Sequence, residues 1–256
     1  MRSEWSALPE AVGAAVADRV GGIVGVYPAP TGDHAEIAST VVGSTGTVFV
    51  KAASSGLGVR SLRHELAVTK VIGRYPPAIL WDFEFDGWLV VGAERLDGPH
   101  PDLSPGSRDL DAFAVTVKEL QETPAPGVPL FTPQGRLGFA HPAMDGDSLV
   151  HSDLNPANLI LTSAGLRIVD WAYATKAAPW VELALLVPWL IGNDHTPAQA
   201  EDWLAQFPAW AGADRVVVDD FAAMNASKWA AKSRQGTERW VHDLAAWTDA
   251  WAAHRA

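Results

Sequence analysis

Hydrophobic and polar residues follow two different periods along this chain, and the change of period divides it. Residues 5–20 are Ala-rich at helical spacing and run to Val20 before Gly21-Gly22 breaks the pattern. Short β-prone runs follow at 23–27, 37–42 and 47–50, separated by Pro, Gly, Asp and Ser. Gly43-Ser44-Thr45-Gly46 predicts a hairpin turn between the last two. Asp86-Gly87 predicts another, joining the apolar runs 78–85 and 88–93. Between the hairpins, 61–72 reads as a helix with Leu62 and Leu66 on one face and Ser61 as its cap.

Past Arg95-Leu96-Asp97-Gly98 the character changes. Residues 99–106 form a Pro-rich connector, and Leu110, Phe113, Val117 and Leu120 then mark a helical stripe. Residues 123–147 are rich in Pro and Gly without a period and read as loop. The runs 159–161 and 166–169 flank Ser163-Ala164-Gly165 as a third hairpin. From about Val181 the chain reads as helices broken near Gly192, Pro208 and Gly212. The expected fold class is α+β. A lobe of five strands and one main helix spans 1–95, and a mostly helical lobe spans 96–256.

Composition narrows the possible chemistry. The 256 residues hold 19 Lys+Arg against 30 Asp+Glu, for a net charge of −11, with 12 Trp and no Cys. An excess of acid argues against a nucleic-acid partner, which calls for a basic patch. Without Cys there are no disulfides, thiolate metal sites or cysteine nucleophiles. The N-terminus lacks a signal-peptide core, and the most apolar stretch, 180–191, is too short to span a bilayer. The expectation is a soluble cytoplasmic protein with no membrane partner. Nothing in the sequence identifies a protein partner.

One segment carries most of the chemistry. Residues 149–161 contain His151-Ser152-Asp153-Leu154-Asn155-Pro156-Ala157-Asn158, a His-x-Asp-x4-Asn motif running into a short strand. Asp170 follows at the end of the next strand, in Ile168-Val169-Asp170-Trp171. Two carboxylates and an amide brought together by a hairpin suit phosphoryl transfer. One carboxylate orients the acceptor hydroxyl, while the other and the amide offer oxygen ligands to Mg²⁺.

These residues resemble the aminoglycoside phosphotransferase family, a branch of the protein-kinase-like superfamily. Its catalytic loop reads His-Gly-Asp-x4-Asn and its metal site Ile-Asp-Trp. The resemblance implies a bilobal kinase-like fold with a five-stranded antiparallel N-terminal sheet and ATP as donor. It makes Asp153 the catalytic base, Asn158 and Asp170 the Mg²⁺ ligands, and His151 a residue that holds the loop in shape. It also requires a strand lysine for the phosphates and a helix glutamate to hold it. Lys51 and Glu65 stand at those positions. The phosphate-covering loop falls at 30–36, where Thr31 and Gly32 are the candidate contacts and Asp33 and Glu36 would be unfavourable pointing inward. The adenine edge falls on backbone groups of Glu94 and Leu96, and small Ala93 leaves room for GTP as an alternative donor.

Departures from protein kinases favour a small acceptor. Trp171-Ala172 replaces Phe-Gly after Asp170, no Ala-Pro-Glu segment follows, and Asn155 stands where protein kinases usually carry Lys. Where many relatives show Asp-Leu-Ala, this chain has Glu182-Leu183-Ala184, which leaves a structural or metal-neighbouring role for Glu182 open. Residues 1–96 hold 8 Lys+Arg against 10 Asp+Glu, and residues 97–256 hold 11 against 20. A C-terminal lobe with that excess of acid suits a cationic acceptor, and an antibiotic hydroxyl is the leading expectation. A metabolite kinase of choline, homoserine or sugar type is the enzymatic alternative, and a nucleotide-binding pseudokinase scaffold is the non-enzymatic one. Trp240, Leu244, Trp247 and Trp251 share a helix face expected in the core. Trp171, Trp180, Trp203, Trp210 and Trp229 remain as ring-stacking candidates, and Asp194 and His195 as loop candidates.

Overall fold

The computed structural model describes residues 3–30 and 35–256. Thr31 and Gly32, the candidate phosphate-loop contacts, lie outside the described residues. In chain order, helix α1 (Glu10–Val20) precedes strands β1 (Ile23–Pro28), β2 (Ile37–Gly43) and β3 (Gly46–Ala53). Helix α2 (Gly56–Thr69) leads to β4 (Ile79–Phe85) and β5 (Trp88–Glu94). Then come α3 (Asp109–Gln121), α4 (Pro133–Leu137), β6 (Ser148–Val150), β7 (Leu159–Thr162), β8 (Gly165–Ile168) and β9 (Thr175–Ala177). Helices α5 (Trp180–Ile191), α6 (Pro197–Leu204), α7 (Pro208–Ala211), α8 (Arg215–Ser233) and α9 (Arg239–Arg255) complete the chain. Among the described residues, no helix is long and apolar enough to cross a membrane.

The chain forms two compact units. The first comprises Met1–Pro99 and Ile160–Ala172, and the second His100–Leu159 and Tyr173–Ala256. Thus 160–172, on the C-terminal side of a division at 95, packs with the first unit.

The first unit is built on an antiparallel sheet of order β1-β2-β3-β5-β4. Gly43 pairs with Gly46 and Phe85 with Trp88, so each predicted turn has two central residues. Asp86 and Gly87 both take positive φ, 50° and 76°, which the mirror-image turn of a tight hairpin requires. The two-residue period of β3 then sorts its side chains. Val48, Val50 and Ala52 pack with Val12, Val16 and Val20 of α1. Ala53 faces Leu62 and Leu66 of α2 together with Leu89 and Val91. Lys51, two residues before Ala53, shares its face of the strand.

Helix α2 starts earlier than its sequence suggests. Gly56 and Gly58 each cost a helix about 1 kcal/mol relative to Ala, which argues for a start beyond them. Ser55 overrides this by capping, its side chain accepting the Gly58 N–H at 3.1 Å. Ser61 is therefore interior. The Glu36 carboxylate accepts the backbone N–H groups of Ser55 and Ser54 and the Ser54 hydroxyl. Partial burial alone would raise the Glu36 carboxyl, but the bonds from Ser55 and Ser54 outweigh it and hold the pKa below the ordinary value. Glu36 is thus an anchor for the start of α2, where a carboxylate also favours the helix dipole.

In the second unit α3 buries the predicted stripe, with Leu110, Phe113, Val117 and Leu120 all in the core. Two of the aromatic candidates, Trp171 and Trp180, are buried in the core, whereas Trp203 and Trp210 are half-buried. Trp171, in the first unit, is fully buried, donates its indole N–H to the Ile168 carbonyl and lies 6.2 Å from the Tyr75 ring. In the second unit, Trp180 donates to the Ala143 carbonyl, and Trp203 stacks on Phe113. Trp210 lies against Trp251. Burying such rings while giving the indole N–H a partner satisfies both their apolar area and their donor. Leu244 and Trp251 of the α9 stripe are buried, whereas Trp240 is 50% exposed and packs edge-on to Trp229. His195 is buried with Nε2 on the Leu103 carbonyl, a structural role for this loop candidate.

Candidate active site

The first unit contains a charged cluster centred on Lys51. Its ammonium donates to both carboxylate oxygens of Glu65, at 2.7 and 2.8 Å, and to Asp170 Oδ1 at 3.2 Å. Strand β3 supplies the lysine, α2 the glutamate, and the exit of β8 the aspartate. All three side chains are largely buried, with exposures of 18%, 13% and 16%. Burial alone would lower the Lys51 pKa, but Asp170 and then Glu65 outweigh it and raise the pKa, so the ammonium stays charged.

The β7–β8 hairpin is tied down so that Asp170 can reach this cluster. Arg167 bonds the carbonyls of Tyr75 and Pro76 and the Glu94 carboxylate, and the Ile168 N–H donates to the Tyr75 carbonyl. Asp170 takes φ +64°, a left-handed conformation that Asp tolerates better than most residues. Glu94, expected on the adenine edge, donates its backbone N–H to the Ala78 carbonyl. A ligand can therefore engage its backbone only through the carbonyl. Leu96 is buried, with 5% of its surface exposed.

The second unit holds the His-x-Asp-x4-Asn loop. His151 is buried and its Nδ1 accepts the Asp153 N–H at 3.2 Å. The Asn158 amide nitrogen donates to the Asp153 carbonyl at 2.9 Å and to Asp153 Oδ2 at 3.3 Å. The loop's first and last polar residues therefore both fix Asp153. Glu182, at the start of α5, accepts the backbone N–H groups of His151 and Ser152. This settles the geometry that sequence left open, because Glu182 is a buried acceptor for the loop backbone. Burial pushes its carboxyl up, and the neighbouring Asp153 adds to this. Bonds from Ser152 and His151 and the charge of Arg136 oppose it, leaving the pKa at about 7.

Ser152 stands where the family's loop has Gly, and its φ is +64°. That conformation costs a side-chain-bearing residue about 1–2 kcal/mol. The Ser152 hydroxyl compensates by accepting from Arg136 Nε at 3.0 Å and donating to the Tyr173 carbonyl at 2.8 Å. Arg136 also donates to the Ser152 carbonyl at 3.2 Å and lies 3.8 Å from the Tyr173 ring centroid. It sits on α4, inside the stretch read from sequence as loop. A five-residue helix shows no period, but its ends were marked. Thr132 caps it ahead of Pro133, and Gly138 closes it in the left-handed conformation.

In the second unit, the Asn158 amide nitrogen is committed to Asp153, so its amide oxygen is the end left for a ligand. In the first unit, Asp170 offers carboxylate oxygen, a hard donor of the kind Mg²⁺ takes. Among the described residues, no group of three or more His, Cys, Asp or Glu could hold a metal by itself.

Residues 139–216 match the model of the phosphotransferase enzyme family, APH. No curated protein sequence matches the chain. Among solved structures, a thermostable mutant of aminoglycoside phosphotransferase APH(4)-Ia with ADP and hygromycin B is 16% identical, with a TM-score of 0.62 over 96% of this chain and 97% of that one. Spectinomycin phosphotransferase APH(9)-Ia with ADP and spectinomycin is 9% identical, with a TM-score of 0.61 over 98% and 100%. ADP-bound APH(2'')-Ib is 12% identical, with a TM-score of 0.57 over 96% and 98%. The segment with the His-x-Asp-x4-Asn motif matches the phosphotransferase enzyme family, the fold is that of the aminoglycoside phosphotransferases, and together they support a small-molecule kinase.

Proposed function

We propose that this chain transfers the γ-phosphoryl group of ATP to a hydroxyl of a small molecule. The observation that carries the reading is the Lys51–Glu65–Asp170 cluster, in a chain whose Asp153 and Asn158 are joined in the family's loop pattern. In this reading Lys51, held charged by its two carboxylates, positions the donor phosphates. Asn158 and Asp170 provide oxygen ligands for Mg²⁺, which when bound neutralises charge developing on the transferred group. Asp153 orients the acceptor hydroxyl and takes its proton. His151 and Glu182 keep the loop in shape, and the carbonyl of Glu94 and the N–H of Leu96 serve as the adenine edge. Positioning and electrostatics then supply most of the catalysis, as phosphoryl transfer requires little covalent help.

The structural neighbours named for hygromycin B and spectinomycin support an antibiotic acceptor. A metabolite alcohol is the second reading. It is favoured by Arg136, which is bonded to Ser152 and interacts with Lys228 and Lys232. A polycationic antibiotic would meet repulsion there.

The direct test is an ADP-release assay against aminoglycosides and other antibiotics and metabolite alcohols, with Asp153→Asn as the control. The variant is expected to lose phosphate transfer to the acceptor while retaining nucleotide binding. Undiminished turnover would remove Asp153 from the mechanism. Loss of nucleotide binding in the wild-type protein would remove the kinase reading itself.

A further inference from the structure

Three cations from two helices of the second unit interact with one another, and one of them is bonded to the loop that carries Asp153. Arg136 of α4 is bonded to Ser152, the residue preceding Asp153. Lys228 and Lys232 of α8 are four residues apart and so lie on one face of that helix. Each cation is held against aromatic rings. Lys228 Nζ is 5.9 Å from the Phe139 centroid and 5.7 Å from that of Trp229, and Lys232 Nζ is 4.4 Å from Trp229. The stripe of α8 that contains them begins in the core, with Phe221 packed edge-on to Phe139 and Trp180. Asn225 follows at 2% exposure, its Oδ1 buried without a donor, and the stripe then turns cationic.

Several carboxylates of α8 and its packing partners bond other groups. Among the described residues, neither Lys228 nor Lys232 makes an ion pair. Asp214 caps α8, Asp219 and Glu201 bind Arg255, and Asp243 pairs with Arg239. Burial first, then Arg136 and Lys232, depress Lys228 to a pKa of about 7. Arg136 itself interacts with Glu182. A partly desolvated Lys228 beside Lys232 and Arg136 is an unfavourable grouping of like charge, which an oxyanion would relieve.

We propose that the acceptor alcohol carries an oxyanion, a carboxylate or phosphate, which Lys228, Lys232 and Arg136 bind while its hydroxyl is presented to Asp153. This rests on the phosphotransferase reading and deepens it by naming the acceptor class. It also runs against the inference from net charge, because Ser152's partner Arg136 and the α8 residues that interact with it are basic.

The test measures ADP release with ATP and Mg²⁺ for gluconate, glucose 6-phosphate, glucose and hygromycin B. The first two distinguish carboxylate from phosphate, and the last two are the neutral and cationic controls. A charge-assisted hydrogen bond of about 1.5–3 kcal/mol corresponds to roughly 10- to 150-fold. At least one anionic alcohol should therefore exceed glucose in kcat/KM by that factor. Lys228→Met should raise its KM about tenfold or more with the KM for ATP unchanged, and Lys228→Arg should restore it. Equal or better turnover of glucose or hygromycin B, or an unchanged KM in Lys228→Met, overturns the proposal.

If none of the four is phosphorylated, calorimetry with gluconate and inorganic phosphate decides. Binding to the wild type that is weakened in Lys228→Met and Lys232→Met supports the anion site, and its absence overturns it. Nucleotide binding, measured in parallel, separates this outcome from failure of the kinase reading.

Discussion

Removing the Glu182 carboxylate should unclamp the loop that carries Asp153. Glu182 is 2% exposed and accepts the N–H groups of both His151 and Ser152. Glu182→Ala leaves both donors buried without that acceptor, at about 1–3 kcal/mol each, so a total loss of about 2–6 kcal/mol is expected. Glu182→Gln keeps one acceptor oxygen, and because Oε2 alone accepts from both N–H groups a smaller loss is expected.

The pH dependence separates the two effects. The folded carboxyl titrates at about 7, against an ordinary value of 4.5. Between those values the folded protein holds a proton that the unfolded chain has released. The stabilisation is complete below pH 4.5 and lost as pH rises through about 7. Glu182→Gln should abolish that part of the decline. Urea unfolding of the three proteins from pH 4.5 to 8, with phosphoryl transfer assayed alongside, gives both readouts. A Glu182→Ala protein within about 0.5 kcal/mol of wild type would refute the clamp.

Three other outcomes are expected. Asp170→Ala should weaken nucleotide binding chiefly when Mg²⁺ is present. Equal calorimetric affinity with and without Mg²⁺ in the wild type would remove Asp170 and Asn158 as ligands. Ser152→Gly should stay within about 1 kcal/mol of wild type because relief of the left-handed strain offsets the lost hydroxyl hydrogen bonds. Ser152→Ala keeps the strain and should lose about 1–3 kcal/mol, so equal melting temperatures for these two variants would refute the compensation. In the sheet, Gly92 faces Trp81 across β4 and β5, and a Cβ there would collide with the indole. Gly92→Ala should cost about 1–3 kcal/mol by thermal denaturation.

Local pattern was enough for much of the fold. Tight hairpins declare themselves because Asp86-Gly87 and Gly43–Gly46 meet backbone demands that few residue pairs meet. The strands between them carry a period of two, and the α3 stripe appears intact at Leu110, Phe113, Val117 and Leu120. The start of α2 was misplaced because two glycines weigh against a helix locally. The Ser55 cap and the carboxylate of Glu36, brought close by the sheet, decide the matter. Helix α4 was too short to have a period at all.

For the site, sequence determined the candidate chemical groups. Lys51, Glu65, Asp153, Asn158 and Asp170 are conspicuous because their spacing and strand context occur together. Tertiary structure decided what surrounds them. Glu182 could have been a metal neighbour or a support until its carboxylate was located on two backbone N–H groups. The expectation of a cationic acceptor came from a sum over 97–256 that weights every residue equally, and the proposed oxyanion site is the alternative that the assay weighs against it. Electrostatic interaction falls with distance and with screening by solvent, so a ligand responds chiefly to the charges nearest it. Which charges those are is set by the fold, because only the folded chain lets Arg136 of α4 interact with Lys228 and Lys232 of α8.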